Sequence, residues 1–224
     1  MQGAVTIEPL VYAPPDGPIT ILHQDDDLLV VEKPAGLLSV PGKAADHRDC
    51  LVARLQGQDP AVLLVHRLDM DTSGVMVFAR NPAAQRHLGL QFERRHLRKQ
   101  YVCRVHGRPA QASGTVDAPL IADWPNRPLQ KVCFDTGKPA RTDWSVEDAG
   151  GACSRLRLHP LTGRSHQLRV HMAHIGHAIC GDRFYGDAHV RGCSPRLMLH
   201  AAQLDLRHPT GGAWHSFESA VPFT

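Results

Sequence analysis

Between two apolar runs, Leu63-Leu64-Val65 and Val75-Met76-Val77-Phe78, lies the most reactive stretch of this chain, His66-Arg67-Leu68-Asp69-Met70-Asp71-Thr72-Ser73-Gly74. A cation, two carboxylates and two hydroxyls share it, and the flanking runs predict a strand, an exposed loop and a second strand. Loops held by rigid neighbours are where catalytic groups concentrate, and Gly74 permits a tight exit into the second strand. The plain structural alternative is a polar turn, since turns are rich in Asp, Ser and Gly. The full string from His66 to Gly74 is far more specific than that.

The elements that must position this loop can be read on either side of it. Residues 1–18 hold Pro and Gly without periodicity and are expected to form an extended arm. Ile19–Leu22 and Leu28–Val31 flank Asp25-Asp26-Asp27 as a strand pair, and Asp49 could cap a short helix carrying Leu51, Val52 and Leu55. After the loop, Asn81-Pro82 is a helix start, and Ala84, Leu88 and Phe92 recur at helical spacing. Gln100 to Val105 alternates as a strand, with Tyr101, Cys103 and Val105 on one face. Further strands are expected at Lys131–Asp135, Arg141–Val146, Cys153–His159, Leu197–Leu206 and Trp214–Glu218, and a helix over Ser165–Ile175 ended by Gly176. Few helices interrupt the strands, which predicts an α+β fold around a mixed, largely antiparallel sheet.

The chain has 224 residues, 42% hydrophobic and 21% charged, enough for one catalytic domain over 19–224. It lacks an apolar run of the roughly 20 residues a membrane span needs, and residues 1–18 carry no signal-peptide pattern. A soluble cytoplasmic protein is therefore expected. Six cysteines are scattered without a Cys-x-x-Cys pair, so they read as buried thiols and not as a zinc ribbon, redox dithiol or disulfide frame. His171, His174 and His177 lack the His-Glu-x-x-His pattern, and no metal site is assigned. The net charge of +3 conceals a gradient, with seven Lys/Arg against one Asp/Glu in residues 81–108 but six against eleven in 1–80. The basic excess centres on Arg94-Arg95-His96-Leu97-Arg98-Lys99. A charge run is often only a solvated face; arginine outnumbers lysine twenty to five, however, and its planar fork suits phosphate.

Asp69-Met70-Asp71-Thr72 resembles the Asp-x-Asp-x-Thr signature of haloacid-dehalogenase-type phosphatases, and Gly181-Asp182 with Asp187 could imitate their magnesium-binding acids. That fold needs helices alternating with parallel strands, which this pattern lacks. A phosphate-binding P-loop and a Gly-x-Ser-x-Gly elbow are both absent.

A second resemblance covers far more of the chain. His66-Arg67-Leu68-Asp69-x-x-Thr72-Ser73-Gly74 is similar to the signature of the RluA-type pseudouridine synthases. Lys99-Gln100-Tyr101, Gly163-Arg164-Ser165-His166-Gln167-Leu168-Arg169-Val170-His171 and Arg196-Leu197-Met198-Leu199-His200-Ala201 resemble the family's later motifs, in order, over residues 28–206. Gly36–Gly42, Asp123–Pro128 and Gln130–Cys133 look like the member that modifies both large-subunit ribosomal RNA and transfer RNA, which also lacks an N-terminal S4-like domain.

The resemblance implies that a uridine in structured RNA is isomerised to pseudouridine. The bond from ribose to uracil nitrogen breaks, the base turns, and carbon 5 joins the sugar, so no cofactor is needed. Asp69 is the implied carboxylate; it could add to the sugar, add to the base, or take a sugar proton. Arg164 is the implied ion-pair partner that keeps it ionised, with a phosphate contact as its alternative role. Tyr101 would pack on the uracil ring or carry a proton, unless it is an ordinary core aromatic. Arg67 would help extrude the target nucleotide, Leu199 would line the base pocket, and Arg94, Arg95, Arg98 and Lys99 would contact phosphates. Asp71 receives no catalytic part, and for His66, His166 and His171 a supporting structural role is at least as apt. A ribosomal hairpin and a transfer-RNA anticodon stem-loop are the implied partners, and a monomer the implied state. A catalytically silent RNA-binding protein on the same scaffold is the alternative from another class.

Overall fold

Alternating apolar residues punctuated by Asp and Gly turns fold into one broad sheet, seen in a computed structural model that describes residues 11–223. Strand β1 (Thr20–Gln24) pairs antiparallel with β2 (Leu28–Lys33). Asp25 closes their turn, its Oδ1 accepting from the N–H groups of Asp27 and Leu28 at 2.8 and 2.7 Å. Residues 1–10 of the expected arm lie outside the described residues, whereas 11–18 carry no helix or strand. That part is fastened down: the Tyr12 hydroxyl donates to the Asp49 carbonyl at 2.7 Å, and Arg54 Nη1 donates to the Pro15 carbonyl at 2.9 Å.

Helix α1 (Leu51–Gln56) follows, with Leu51, Val52 and Leu55 buried as their spacing predicts. Asp49 does not cap it. Cys50 occupies that position, and the Asp49 carboxylate is drawn instead into a two-bond pair with Arg54, at 2.7 and 2.6 Å. Next come β3 (Leu63–Leu64), β4 (Ser73–Ala79) and α2 (Pro82–Arg94), the last capped by Asn81 Oδ1 accepting from the Ala84 N–H at 2.8 Å. Ala84 and Leu88 are buried and Phe92 packs against the same apolar cluster, so the predicted helix face is the one that packs.

The chain continues through β5 (Arg98–His106), β6 (Ser113–Asp117), β7 (Leu120–Ala122), β8 (Gln130–Val132), β9 (Arg141–Asp148) and β10 (Cys153–Pro160). Helices α3 (Gln167–His174) and α4 (Ala188–Gly192) precede β11 (Leu199–Arg207) and β12 (Trp214–Glu218). Three of these were not expected. Strand β6 is mostly polar and exposed, β7 is apolar but only three residues long, and α4 is a short helix after a run of loop. The strand expected at Lys131–Asp135 stops at Val132, because the Gly137 N–H turns back to the Cys133 carbonyl.

The main sheet runs β1-β2-β4-β11-β5-β10-β9-β6, with β12 also on β11 and β3 also on β4, while β7 and β8 pair separately. Among the described strand pairs, β4 with β11 is the parallel one and the rest are antiparallel, so the expected α+β fold around a mixed sheet is what forms. Their register places Gly74 beside Ala201 and Ala201 beside Tyr101, one row across the three central strands. Tyr101 packs against two apolar clusters, one built on β2, β4 and α1, the other on β5, β10 and α3. The two halves of the core therefore meet at this residue.

Candidate active site

The loop joining β3 to β4 is tied on both sides of Asp69. Ser39 Oγ donates to the Leu68 carbonyl at 2.7 Å and accepts from its N–H at 3.2 Å. The Met70 carbonyl accepts from Lys33 Nζ at 2.8 Å and from the Gly36 N–H at 2.9 Å. Lys33 is fully buried; desolvation brings its ammonium down to about 7, although the nearby charges of Asp71 and Asp69 oppose the shift. His66 Nε2 accepts from the Val77 N–H at 3.1 Å, and its ring stacks on Phe92. Burial, with the charge of Lys99, drives His66 down to about 3, so it is a neutral strut of the loop. Gly74 leaves the loop at φ +114°, and a Cβ there would stand 2.2 Å from the Ala201 carbonyl oxygen. Only glycine fits so close to the neighbouring parallel strand.

Asp69 opens into a cavity of about 830 Å³, lined also by Arg67, Tyr101, Arg164, Lys99 and Leu199. Leu199 is buried at the start of β11 and Tyr101 stands on β5. Burial pushes the Tyr101 phenol well above its ordinary value, and the charge of Asp69 adds to this, so the hydroxyl stays protonated.

The arginine facing Asp69 is not Arg164. Arg164 sits on the rim, its Nε donating to the Pro139 carbonyl at 3.1 Å. Arg169, five residues further along the same motif and in the first turn of α3, brings Nη1 to 3.9 Å from Asp69 Oδ2. The physical reason lies in the local backbone: His166 adopts a left-handed conformation (φ 54°) and starts α3 only at Gln167, two residues later than the expected helix. That turn leaves Arg164 outside and buries Arg169 on the inner helix face. Arg169 is 2% exposed and makes a two-bond fork to Asp182, at 2.8 and 2.7 Å. Its guanidinium also lies over Phe184 and Tyr185, 4.9 and 5.3 Å from their ring centres. Burial alone would weaken its charge, but the bonds and charge of Asp182, with Asp69 beyond, hold it firmly cationic. Behind it, the Tyr185 hydroxyl accepts from the Gln130 N–H and shares a 2.7 Å hydrogen bond with His166 Nδ1.

Arg169 and Asp182 are thus the site residues that sequence reasoning missed. The signal was present, since the motif carries a second arginine and Gly181-Asp182 stood out, but nothing in linear spacing shows that the two meet. Gln167, buried beside them, accepts from Thr162 Oγ1 and the Arg164 N–H and donates to the Arg141 carbonyl, locking the loop that enters α3.

The basic cluster divides. Arg94, Arg95 and Arg98 are exposed. Lys99 turns inward, donating to the Thr162 carbonyl at 2.9 Å, and burial brings it down to about 8, with Arg95 contributing. Arg95 caps α2 in a left-handed conformation (φ 59°) and lines the Asp69 cavity with Arg98. Arg94 lines a neighbouring hollow of about 550 Å³ together with Arg207 and Trp214. Non-glycine residues at positive φ gather at functional sites, and both of those described here, Arg95 and His166, border the same cavity.

The acids imagined for a phosphatase do not converge. Asp71 turns to Arg183, 3.3 Å away, Asp182 is engaged by Arg169, and Asp187 caps α4 through the Val190 N–H. With the sheet largely antiparallel as well, the phosphatase reading falls. His171 is likewise committed, its ring nitrogens bonded to Thr142 Oγ1 and the Ala118 carbonyl.

A mixed sheet whose central strands support a loop with a clamped carboxylate, backed by a buried arginine in a cavity with an arginine rim, fits the pseudouridine synthase class. Residues 27–174 match the model of the family described as RNA pseudouridylate synthase, and the chain belongs to that family. It is 53% identical over 214 residues to the dual-specificity RNA pseudouridine synthase RluA of Escherichia coli K12, covering 95% of this chain and 98% of that protein. The protein of the same name from Vibrio parahaemolyticus is 50% identical over 89% of this chain and 82% of its own length. Among solved structures, human RNA pseudouridylate synthase domain containing 1 superposes with a TM-score of 0.79 at 29% identity, covering 95% of this chain and 88% of that one. The chain is an RNA pseudouridine synthase, an isomerase, and neither the phosphatase nor the silent-binder reading stands.

Proposed function

We propose that Asp69 is the carboxylate that carries the isomerisation, and that the substrates are a hairpin of large-subunit ribosomal RNA and a transfer-RNA anticodon stem-loop. The observation that carries the site assignment is the buried Arg169–Asp182 fork, which fixes a guanidinium 3.9 Å from Asp69 inside the cavity. A carboxylate that forms or breaks bonds at a sugar or base must be charged and held still, and this arrangement supplies both a cation and a rigid mount. Tyr101 and Leu199 offer the walls between which an extruded uracil is held, at a flipping cost of a few kcal/mol. Arg67, Arg95 and Arg98 stand at the cavity where flanking phosphates and the displaced nucleotide's place would lie. Arg164, free of Asp69, takes the phosphate-contact role, and Arg94 extends the basic surface of Arg95 and Arg98 into the neighbouring hollow.

The two RNA substrates rest on the likeness to relatives named as dual-specificity enzymes, joined to a rim that reads backbone charge. One catalytic domain over 19–224, acting as a monomer in the cytoplasm, is the form proposed. Among the described residues no helix is long and apolar enough to cross a membrane. The test is conversion of uridine to pseudouridine in both RNAs, without added metal or cofactor, by wild type and by Asp69→Asn. Product from wild type on both RNAs and none from the variant is expected. Product from Asp69→Asn at the wild-type rate would refute the assigned carboxylate, and conversion of one RNA alone would refute the dual substrate.

A further inference from the structure

Three cysteines scattered along the sequence come together in the fold, far from the catalytic pocket. Cys153 opens β10, opposite His106 at the end of β5. Tyr101 lies five residues back along β5, so the cluster is roughly 17 Å from the active-site tyrosine. Cys180 lies in the segment after α3, its backbone held on both sides: its N–H donates to the Arg104 carbonyl, and its carbonyl accepts from the Met198 N–H. Cys193 stands at the end of α4. The three sulfurs all lie within 4.8 Å of one another, with Cys180 Sγ and Cys153 Sγ 3.4 Å apart.

We propose that Cys153, Cys180 and Cys193 form a binding site for a single thiophilic divalent cation of the zinc class, with three thiolate ligands and a fourth position left to water. Zinc–sulfur bonds of about 2.3 Å in a tetrahedron set sulfurs about 3.8 Å apart, so closure from the observed spacing needs shifts of an ångström or less. Thiolate sets of this kind select soft or borderline metals over magnesium or calcium. The ligands enter from a strand, an anchored loop and a helix end, which is why no short spacing in the sequence announces them. Burial is graded: Cys180 is buried, Cys153 partly so and Cys193 exposed, which gives a metal an entry path from solvent.

The site would act on the segment between Cys180 and Cys193. That segment carries Asp182 and Tyr185, which hold Arg169 behind Asp69. Bound metal would fasten both ends of it to β10, adding stability without taking part in the reaction.

The test uses the full chain, kept reduced with a phosphine and freed of metal by a chelator that is then removed. Titration with Co²⁺ is expected to give thiolate-to-cobalt charge-transfer absorption saturating at one ion per chain, erased by stoichiometric Zn²⁺. In Cys193→Ser, whose exposed side chain leaves the core intact, affinity should fall by more than the ~10–100-fold that losing an outer-shell partner costs; Cys133→Ser should bind as wild type does. On the wild type alone, Zn²⁺ should slow alkylation of Cys193 and Cys153 but not of Cys133, read by mass spectrometry. Absence of the charge-transfer band in reduced wild type, its survival in Cys153→Ser/Cys193→Ser, or alkylation unaffected by Zn²⁺ would overturn the proposal.

Discussion

Replacing Arg169 by Met separates what this residue does for folding from what it does for Asp69. The substitution leaves Asp182, whose side chain is fully buried, with the N–H groups of Phe184 and Tyr185 at 2.9 and 3.2 Å as its remaining donors. Stranding one partner of a buried ion pair costs about 3–5 kcal/mol, which for a chain of this length lowers Tm by roughly 6–20 °C. A second substitution, Asp182→Asn, removes the stranded charge yet keeps an oxygen for the same two N–H groups. The double variant Arg169→Met/Asp182→Asn should therefore regain at least about 2 kcal/mol over the single one.

Activity should not follow stability. With either variant, Asp69 loses the cation 3.9 Å away, and removal of one such preorganised charge costs about 10²–10³-fold in rate. Urea unfolding supplies the stabilities, and single-turnover conversion of a stem-loop uridine, at a temperature where every variant is folded, supplies the rates. Recovery of the rate together with stability in the double variant would show that the pair is only structural. Wild-type turnover by Arg169→Met would refute the coupling altogether.

Gly74→Ala should destabilise by at least about 3 kcal/mol, seen as a fall in the urea midpoint, because its Cβ would stand 2.2 Å from a backbone carbonyl on β11 at a φ that L-residues avoid; a shift under 1 kcal/mol, by the same measure of about 1 kcal/mol for an average substitution, would contradict the register. Arg98→Ala should lower RNA affinity alike for target and non-target stem-loops, and reduce the slope of log K against log salt by about 1; an unchanged slope would remove Arg98 from the interface. Folding stability should rise with pH from about 7 toward 10, because folded Lys33 gives up its proton near 7 while the unfolded lysine keeps it to about 10.5. Lys33→Met should flatten that rise by about 1.4 kcal/mol per pH unit, and urea titrations of both proteins at successive pH values that gave parallel profiles would show the lysine is not buried as described.

The sequence made the chemistry legible before the geometry. The apolar runs around the Asp69 loop, the Asn81-Pro82 helix start and the alternation through Tyr101 each became the element the sequence implied, because burial of the apolar faces and the Asn81 cap are decided within each segment. What failed was local and has a common cause. Asp49 left its capping place for a nearby arginine, and α3 began late because His166 turned left-handed. The first is a side-chain pairing within one short segment and the second a single backbone turn, neither of which hydrophobic spacing records. The exchange of Arg164 for Arg169 is the consequential case: two arginines stand five positions apart in one motif, and only the backbone turn between them decides which is swallowed. The parallel pairing of β4 with β11, distant in sequence, could not be inferred from either strand.

That parallel pair fixes one end of the Asp69 loop, and other residues hold its middle. Gly74 lies so close to Ala201 that it admits no side chain, so β4 can enter the sheet there only with a bare backbone. The exit itself is held by Ser73, buried with Thr72: Ser73 Oγ shares a 2.9 Å hydrogen bond with His200 Nδ1 and accepts from Arg196 Nη2 at 2.6 Å, while the rigidity around Asp69 comes from residues earlier in the chain. Lys33, Gly36 and Ser39 supply it, bonding to the backbone of Leu68 and Met70 on either side of the carboxylate. In sequence these residues look like a break after β2. In the fold they are the mount of the Asp69 loop, and they draw on a buried lysine whose proton is weakly held. The same segment that fixes Asp69 in space therefore ties its loop to a lysine that gives up its proton near 7.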